Sequence, residues 1–381
     1  MKIAIVGLGG MPYSKRAIDA RLEATANLFR ELDHDVVFFN RFSAAKNESK
    51  SNCYQIDEPF ASHKGCNKIL YLLLYALALI DEPFRIIRAN RKQHIDVLFV
   101  NSGHYIDMLV YKLLCKITGA KFLYQYCEFR AALPTGNPYH KLNGKWVGEK
   151  GPKLWDGVTP ISHFLEENSL KVNPKVKSLM MYPLCDYKAY ADIEPYKAEK
   201  PYILFCGSIE YGEIVSFIVD AYKASKINQT TDLVMVLRGV QQQIDSFKQS
   251  RPDVRVLQNL PYEELLARFK GADGLLIPLK NDIRDIARFP NKIGEYCAAR
   301  GLVITTNNGE MMYLFKDREN ALVAKDYTED SYVEVLDWLA DNIDKTEQIK
   351  EASYQLGLAS FDIESYKEKT ERFLQALIND K

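Results

Sequence analysis

The chain has 381 residues, with 50 lysines and arginines, 50 aspartates and glutamates, and 47% hydrophobic residues. A chain of this length is too long for a single hydrophobic core of ordinary size, so we predict two domains. The hydrophobic content is that of a folded soluble protein. The balanced charge gives no global positive field, which argues against nucleic acid as a partner.

The first half alternates strand and helix patterns, as in a parallel α/β sheet. IAIVG predicts the first strand, followed by a helix from about Ser14 to Leu32 and the strand DVVFFN. After a polar stretch over 41–64 come an apolar helix, the strand IDVLFVNS, a helix over about 104–118 and the strand AKFLYQY. Residues 128–153 are rich in Gly, Pro and Lys, and we expect a long loop there that could cover a site.

The longest apolar run, ILYLLLYALALI at 69–80, is too short to span a bilayer. Basic residues flank it: Lys64, Lys68, Arg85, Arg88, Arg91 and Lys92. A core helix with solvated charges at its ends is the more frequent outcome of such a pattern, and an interfacial helix is the alternative. Peripheral contact with a membrane therefore stays open.

The second half repeats the alternation with the strands YILFCGS, LVMVLRG, VRVL and DGLLIPL. A Pro-, Asp- and Lys-rich segment predicts a linker at 184–200, between a first domain over 1–183 and a second over 201–360. Residues 361–381 predict a closing helix that could pack back on the first domain. The predicted fold is α/β, with two Rossmann-like parallel-sheet domains facing across a cleft.

The seven cysteines form no C-x-x-C pair, which favours reduced thiols over a disulfide or zinc framework. The start, MKIAIVGLGG, has the pattern of a strand and lacks that of a signal peptide. We therefore expect a cytoplasmic protein, with peripheral binding at the inner membrane face as the open alternative.

The stretch FPNKIGEYCAARGLVITTNNGE at 289–310 is the most informative. Pro290 can open a short helix that runs to Arg300, where Gly301 is expected to supply the left-handed residue that ends it. Lys292 then lies in the first turn, where its cation faces the positive end of the helix. That placement costs about 0.3 to 1 kcal/mol unless an anion lies nearby.

Two interpretations resolve this conflict. Lys292 could form an ion pair with Glu295 on a solvated helix, which is worth about 0.2 to 0.5 kcal/mol at this spacing. Alternatively, Lys292 and the backbone amides at the helix start bind a diphosphate, while Glu295 accepts hydrogen bonds from hydroxyl groups. We favour the second interpretation, because a nucleotide sugar offers both groups.

Glycines follow the first strand at Gly7, Gly9 and Gly10, where backbone amides can approach a ligand closely. A dinucleotide site is disfavoured, because Pro12 occupies the third glycine position and Arg41 follows the second strand in place of an acidic residue. The glycines then form either a tight turn that the fold requires or a loop facing the cleft on the acceptor side.

The segments KIGEYCAARGLVITTNNGE, LFKDRENALVA and VRVLQNLPYEELLARFKGADGLLIPL resemble those of glycosyltransferase family 4, and WDGVTPIS and YPLCDYKAY are weaker matches. Members of that family are retaining, nucleotide-sugar-dependent enzymes with the GT-B fold. The resemblance covers most of the chain and does not specify the sugar.

In that family two glutamates eight positions apart mark the donor site, and Glu295 matches the second, which implies that it binds the ribose hydroxyls. The first falls on Ala287, so its role must be unfilled or taken by Asp282, Asp285 or a main-chain group. The turn GSIEYGE is acidic where the family commonly has a basic pair for the diphosphate, so other cations must serve.

Arg284, Arg288 and Lys292 recur every four residues, and Arg238 ends a strand that should point to the same edge. We predict catalytic roles for Lys292 and Arg288. The alternative for Arg284 and Arg288 is pairing with the neighbouring Asp282 and Asp285. The other predicted donor-binding residues are Glu295, Asn291, Pro290, Gly207, Ser208, Arg238, Arg284 and Glu310. The predicted acceptor-side residues are Gly9, Gly10, His104 and Glu128, although Glu128 could instead pair with Arg130 or a lysine.

We expect transfer of a sugar, of the hexosyl class or a related one, from a nucleoside diphosphate sugar to a hydroxyl of a glycan or lipid-linked acceptor in surface polysaccharide or glycoconjugate synthesis. Retention follows from the resemblance alone. Fixed cations can stabilise the departing diphosphate, so we expect no metal and no cofactor. A nucleotide-sugar epimerase or hydrolase and a non-catalytic sugar-nucleotide or glycan-binding protein are the alternatives.

Overall fold

The protein, analysed as a computed structural model, is described at residues 1–8, 17–41, 55–57 and 67–379. Contacts divide the chain into two units, Met1–Tyr182 with Tyr366–Lys381, and Pro183–Ser365. Each unit holds one parallel sheet, so the predicted α/β class with two Rossmann-like domains is confirmed. Gly9, Gly10 and Pro12 lie outside the described residues.

The first sheet has the strand order β3-β2-β1-β4-β5-β6-β7. Its strands are β1 Lys2–Leu8, β2 Asp35–Asn40, β3 Gln55–Asp57, β4 Val97–Val100, β5 Lys121–Tyr126, β6 Gly157–Pro160 and β7 Lys177–Ser178. The helices of this unit are α1 Ala17–Glu31, α2 Lys68–Lys92, α3 Tyr105–Thr118, α4 Pro138–Glu149, α5 His163–Val172 and α14 Lys367–Asn379. The strands are near-continuous apolar runs because helices cover both faces of a parallel sheet.

The second sheet has the order β10-β9-β8-β11-β12-β13. Its strands are β8 Tyr202–Ser208, β9 Asp232–Arg238, β10 Arg255–Leu257, β11 Gly274–Leu276, β12 Val303–Thr306 and β13 Leu322–Ala324. The helices are α6 Gly212–Ala224, α7 Gln241–Ser250, α8 Tyr262–Gly271, α9 Ile283–Ala287, α10 Lys292–Ala298, α11 Met311–Leu314, α12 Glu329–Asp341 and α13 Glu347–Ser360. The predicted strands YILFCGS, LVMVLRG, VRVL and DGLLIPL appear as β8 to β11 in that order, whereas β3 and β13 were not predicted.

Residues 184–200, expected to be a linker, carry a 3-10 turn at Tyr187–Tyr190 whose two tyrosines are buried. The segment is tied into the second unit, because the Cys185 amide donates to the Phe361 carbonyl at 2.9 Å. At the end of the chain, α14 packs three apolar side chains into the core of the first unit. They are Phe373, Leu374 and Leu377.

The prediction of a long loop over 128–153 is wrong, because α4 occupies much of that segment. Asn137 caps this helix by accepting from the Tyr139 amide, and Pro138 stands in its first turn. Gly144 lets the helix lie against the backbone, since a Cβ there would sit 2.6 Å from the Arg130 carbonyl oxygen. Gly144, read as a loop former, is therefore a packing residue.

The role predicted for Gly301 is also wrong. Arg300, with φ of 54°, adopts the left-handed conformation after α10. Gly301 instead serves packing, because a Cβ there would lie 2.2 Å from Leu275 Cδ1 in the neighbouring strand. Glycine is required here by a contact with a residue distant in the chain, which the local sequence does not show.

Arg41 is buried at the carboxyl edge of the first sheet, 7% exposed. Its guanidinium donates to Glu82 at 2.6 Å, Asp107 at 2.7 Å and the Tyr111 hydroxyl at 2.6 Å. Burial acts to lower the pKa of Arg41, but the tyrosine and both carboxylates raise it above its usual value. A buried charge network thus occupies the position after β2 where a dinucleotide fold places its acidic ribose ligand.

The predicted apolar helix is part of α2, which is 25 residues long and contains Pro83. No helix among the described residues combines the length and the apolarity needed to cross a membrane. Burial as a core helix, the more frequent outcome, applies to only one side of α2. Leu77 and Ile80, for example, are 59% and 58% exposed.

Gly7 is the one glycine of the amino-terminal cluster that the structure describes, and Gly7→Ala is expected to destabilise the fold. Its φ is 84°, and a Cβ would lie 2.7 Å from the Asn101 carbonyl oxygen. Left-handed strain and the clash together should lower the free energy of unfolding by about 2 kcal/mol or more. Urea unfolding of the two proteins measures this difference.

Gly136→Ala is the matched control, because no atom lies within 4 Å of a Cβ at that position. Its free energy of unfolding should stay within about 0.5 kcal/mol of the parent. Equal stability of the two variants would contradict the prediction.

Candidate functional site

The candidate donor residues lie at the carboxyl edge of the second sheet. Strand β8 pairs with β9 on one side and with β11 on the other, and Ser208 lies opposite Arg238 in the register. The chain therefore leaves β8 and β11 in opposite directions. Ligands of open α/β sheets bind at such a switch point.

Lys292 begins α10 and forms an ion pair with Glu295 Oε2. The side chains are 28% and 19% exposed, so the pair is partly buried, whereas the simple ion-pair interpretation placed it on a solvated helix. Burial acts to lower the pKa of Lys292, but the Glu295 carboxylate raises it above its usual value. Lys292 is therefore a fixed cation at neutral pH.

Cys206, on β8, links this pair to the sheet edge. Burial raises the pKa of its thiol; Lys292 and Arg238 act to lower it, while Glu295 raises it further. All three charges thus lie within electrostatic range of one strand. Of these three, Arg238 is the residue that the strand-end rule predicted at this edge, and it lies opposite Ser208 in the register.

Tyr262, at the start of α8, is a neighbour of Glu295 that the sequence analysis missed. Its hydroxyl lies 3.5 Å from Glu295 Oε1. Withdrawal of the hydroxyl from water raises the pKa of Tyr262 to about 12, and Glu295 raises it as well. The ring is 57% exposed and offers an aromatic face beside the carboxylate.

Arg284 and Arg288 both approach Asp285, which is fully buried. Arg288 Nη2 lies 2.9 Å and Arg284 Nε 3.5 Å from Asp285 Oδ1. The guanidinium carbons lie 6.0 Å (Arg284) and 5.0 Å (Arg288) from the ring centroid of Tyr211. Pairing with an aspartate, the alternative weighed for these arginines, is therefore present in the structure.

The ion pairs with Asp285 do not use all the hydrogen-bond donors of Arg284 and Arg288. Among the described residues, the Nε atoms of Arg284 and Arg288 are buried without a hydrogen-bond partner, and Asp285 Oδ1 accepts no hydrogen bond. Each guanidinium has five donors. The two side chains thus keep donor capacity that Asp285 does not use.

Asp285 also fixes the loop between β11 and α9. Its Oδ2 accepts from the Lys280 amide at 2.9 Å, and its own amide donates to Asp282 Oδ1 at 2.8 Å, so Asp282 caps α9. Ala287, which matches the first glutamate of the family pattern, is fully buried. Asp282 is exposed, and of the two aspartates it is the one with an accessible carboxylate.

The turn after β12 packs against α9. Gly309 has φ of 56°, and a Cβ there would lie 2.9 Å from Ile286 Cα. Glu310 follows and is 1% exposed. Pro290 and Asn291 are partly buried just before α10, and the Pro290 carbonyl accepts from the Ile293 amide at 3.1 Å, so that amide at the helix start is already used.

The acceptor-side candidates His104 and Glu128 lie in the first unit, at the carboxyl ends of the neighbouring strands β4 and β5. Glu128 forms a 3.6 Å ion pair with Arg130, the partner proposed for it as an alternative. His104 Nδ1 lies 3.5 Å from the Tyr139 hydroxyl on α4. Burial lowers the pKa of His104, against the Asp107 carboxylate, so the ring is neutral at pH 7.

Three side chains near the donor candidates were not predicted: Tyr211, Tyr262 and Lys280. Tyr211 and Lys280 each follow a strand end within four residues, so the strand-end rule applied to β8 and β11 would have found them. Lys280 pairs with Glu213 of the acidic turn. That turn therefore has a basic partner from the next strand of the sheet.

Comparison with known proteins gives a match to one family model over part of the chain and a shared fold. Residues 187–356 match the family described as glycosyl transferases group 1. No curated protein matches the chain.

Among solved structures, sucrose-phosphate synthase from Thermosynechococcus elongatus is similar, with a TM-score of 0.76 and 13% identity over 100% of both chains. Anabaena HepE in complex with UDP has a TM-score of 0.73 and 12% identity over 99% of this chain and 100% of its own. The lipopolysaccharide outer core galactosyltransferase WaaB has a TM-score of 0.68 and 12% identity over 99% of both chains.

Asp285→Ala should destabilise the second unit strongly. The change removes the only carboxylate within the described residues that pairs with both Arg284 and Arg288, and it leaves the Lys280 amide unpaired. We expect a loss of about 3 kcal/mol in the free energy of unfolding. Urea unfolding measures it.

Asp282→Ala is the control, because it removes only the cap of α9 and should cost about 1 kcal/mol. If both variants lose the same small amount, Asp285 does not anchor the loop.

Proposed function

We propose that this protein transfers a sugar from a nucleoside diphosphate sugar to an acceptor hydroxyl. Its GT-B fold and the match of residues 187–356 to the glycosyl transferases group 1 family support the proposal. The observation that carries this proposal is the partly buried pair of Lys292 and Glu295, whose charges act on Cys206 of β8. A fixed cation and a carboxylate side by side match a diphosphate joined to a ribose.

The diphosphate would lie against Lys292 and Arg288. Lys292 is a compact point charge, and Arg288, whose side chain is 22% exposed, carries a planar guanidinium that suits phosphate oxygens. Gly207, Ser208 and Arg238 lie at the adjoining ends of β8 and β9, where the phosphates and the rest of the donor would be held. HepE, which shares the fold, has been solved with UDP-glucose, which supports a nucleotide sugar as the donor class.

Glu295 can serve two partners because its two oxygens differ. Oε2 is paired with Lys292, whereas Oε1 has the Tyr262 hydroxyl at 3.5 Å, which is too long for a strong hydrogen bond. Oε1 can therefore accept from ribose hydroxyls while Oε2 keeps Lys292 in place. The exposed ring of Tyr262 would flank the same part of the nucleotide.

The reaction breaks the bond between the anomeric carbon and the diphosphate oxygen and forms a bond to the acceptor oxygen. Negative charge grows on the leaving diphosphate, and preorganised cations stabilise it. The acceptor proton can pass to the departing phosphate, so the step balances without a protein base. We infer retention of anomeric configuration from the family resemblance.

We propose a hexosyl or related sugar as the transferred group and a glycan or lipid-linked hydroxyl as the acceptor, in surface polysaccharide or glycoconjugate synthesis. The family resemblance supports this class of reaction. His104 and Glu128 are the acceptor-side candidates of the first unit. A neutral His104 can accept or donate a hydrogen bond to an acceptor hydroxyl without adding charge.

A non-catalytic sugar-nucleotide-binding protein is the second candidate, and one observation favours it. Ala287 is fully buried where the family pattern has its first glutamate. Donor binding would then persist without turnover. Nucleotide-induced thermal stabilisation, followed by product detection with the best-binding nucleotide sugar, separates the two candidates.

Lys292→Ala and Glu295→Ala should each lower kcat about 10²-fold or more, because each removes a charge that acts on the donor. Product formation from the best-binding nucleotide sugar measures the rate, and thermal unfolding checks the fold. Nucleotide-induced stabilisation should fall in both variants.

Lys316 and Glu319 provide the matched control, as a pair with the same spacing whose side chains are 74% and 68% exposed. Alanine at either position should leave turnover unchanged. Near-normal turnover in both site variants would reject the assignment of Lys292 and Glu295.

Turnover should persist in excess EDTA, because we expect protein cations to stabilise the leaving diphosphate. Among the described residues, no group of three His, Cys, Asp or Glu side chains could hold a metal ion. The measurement compares initial rates in EDTA with and without added Mg²⁺ or Mn²⁺. Abolished turnover that either ion restores would contradict metal independence.

A further inference from the structure

One side of α2 is an apolar surface exposed to solvent. Its large apolar side chains are 43 to 74% exposed. They are Ile69, Leu70, Leu73, Leu77, Ile80 and Phe84. Steps of three and four residues place most of them along one stripe of the helix. Ala78, Glu82 and Ile86 are buried on the other side.

The neighbouring helix α3 extends this surface. It contacts α2 and exposes four more apolar side chains at the same helical spacing by 45 to 58%. They are Ile106, Leu109, Leu113 and Ile117. We call these ten residues the α2–α3 face. Soluble monomers rarely expose a contiguous apolar patch larger than a few hundred Å², so such a face indicates a binding surface.

The charges beside the face have one sign. On α2 and α3, the exposed charged side chains within the described residues are all basic: Arg88, Arg91, Lys92 and Lys116. Arg88 and Arg91 stand four and seven residues after Phe84, so they continue the apolar stripe by two turns. The acidic residues of these helices are buried, as Glu82 and Asp107 are, or paired, as Asp81 is with Arg85.

Helix α4 adds interfacial residues next to α3, which it contacts. Leu142 is 45% exposed, and Lys141 and Lys145 are exposed on the same helix, which also ends with the exposed Glu149. Trp146 is partly exposed. Tryptophan and lysine are the side chains that favour the boundary between lipid headgroups and acyl chains.

We infer that the first unit binds the surface of an anionic lipid bilayer through the α2–α3 face, with both helices in the plane of the interface. Apolar side chains reach the acyl boundary while the arginines and lysines meet anionic headgroups. A second copy of the chain fits less well, because a twofold contact through this face would bring the basic residues of both copies together. The inference is independent of the proposed sugar transfer.

Flotation with vesicles tests this surface. The protein should float with phosphatidylcholine vesicles that contain phosphatidylglycerol, float less with phosphatidylcholine alone, and be released by salt. The triple variant Leu73→Gln, Leu77→Gln, Leu113→Gln should bind at least about tenfold more weakly, because it removes three inserted side chains. The control Leu170→Gln, Ile343→Gln changes residues 40% and 46% exposed elsewhere and should bind like the parent.

The double variant Arg88→Glu, Arg91→Glu tests the charges without touching the apolar residues, and it remains informative if the triple variant misfolds. It should also bind the anionic vesicles at least about tenfold more weakly. Lys248→Glu, Lys345→Glu, both exposed in the second unit, is its control and should bind normally.

Three results would overturn the inference. They are equal binding to neutral and anionic vesicles, unchanged binding of the arginine variant, and a dimer by light scattering that the triple variant dissociates.

Discussion

The carboxyl edge of the second sheet depends on one buried carboxylate. Asp285 is fully buried, yet it faces two arginines and accepts the Lys280 amide. A carboxylate in that position is tolerated only if cations and donors compensate its desolvation. The loop from β11 to α9 is therefore held in one arrangement, and the two guanidiniums stay beside the switch point.

This constraint explains how a chain without the usual basic pair after β8 can still present cations there. The acidic turn after β8 supplies Glu213 to Lys280, and Tyr211 lies near both arginines. The cations, Arg284 and Arg288, come from the segment after β11, and both pair with Asp285.

The sequence was sufficient to predict the elements whose signal is local. The strands were predictable because buried parallel strands are continuous apolar runs, and Lys292 and Glu295 because their spacing places them on one turn of a helix. The resemblance added the role of Glu295. The positions of Arg238 and Ser208 followed from the rule that parallel strands end at one edge.

What failed depends on contacts between distant residues. The glycines of α4 suggested a loop, yet Gly144 is needed for contact with the Arg130 backbone. Gly301 is needed because a side chain there would clash with Leu275. Arg300 takes the left-handed conformation that Gly301 was expected to adopt. The burial of Asp285 was not predictable either, because a charged residue in a polar stretch suggests a solvated loop.

The two interpretations of Lys292, an ion pair with Glu295 and a binding site for a diphosphate, are compatible in the folded protein. An exposed ion pair three residues apart gains a few tenths of a kcal/mol, too little to justify withdrawing both charges from water. Here both side chains are partly buried, at a sheet edge that the arginines also approach. Removing the two charges from water therefore costs free energy. That cost is recovered if a diphosphate binds Lys292 while Glu295 turns its second oxygen to the ribose. On this argument the ion pair and the donor site are one arrangement, in which the carboxylate positions the ammonium for an incoming anion.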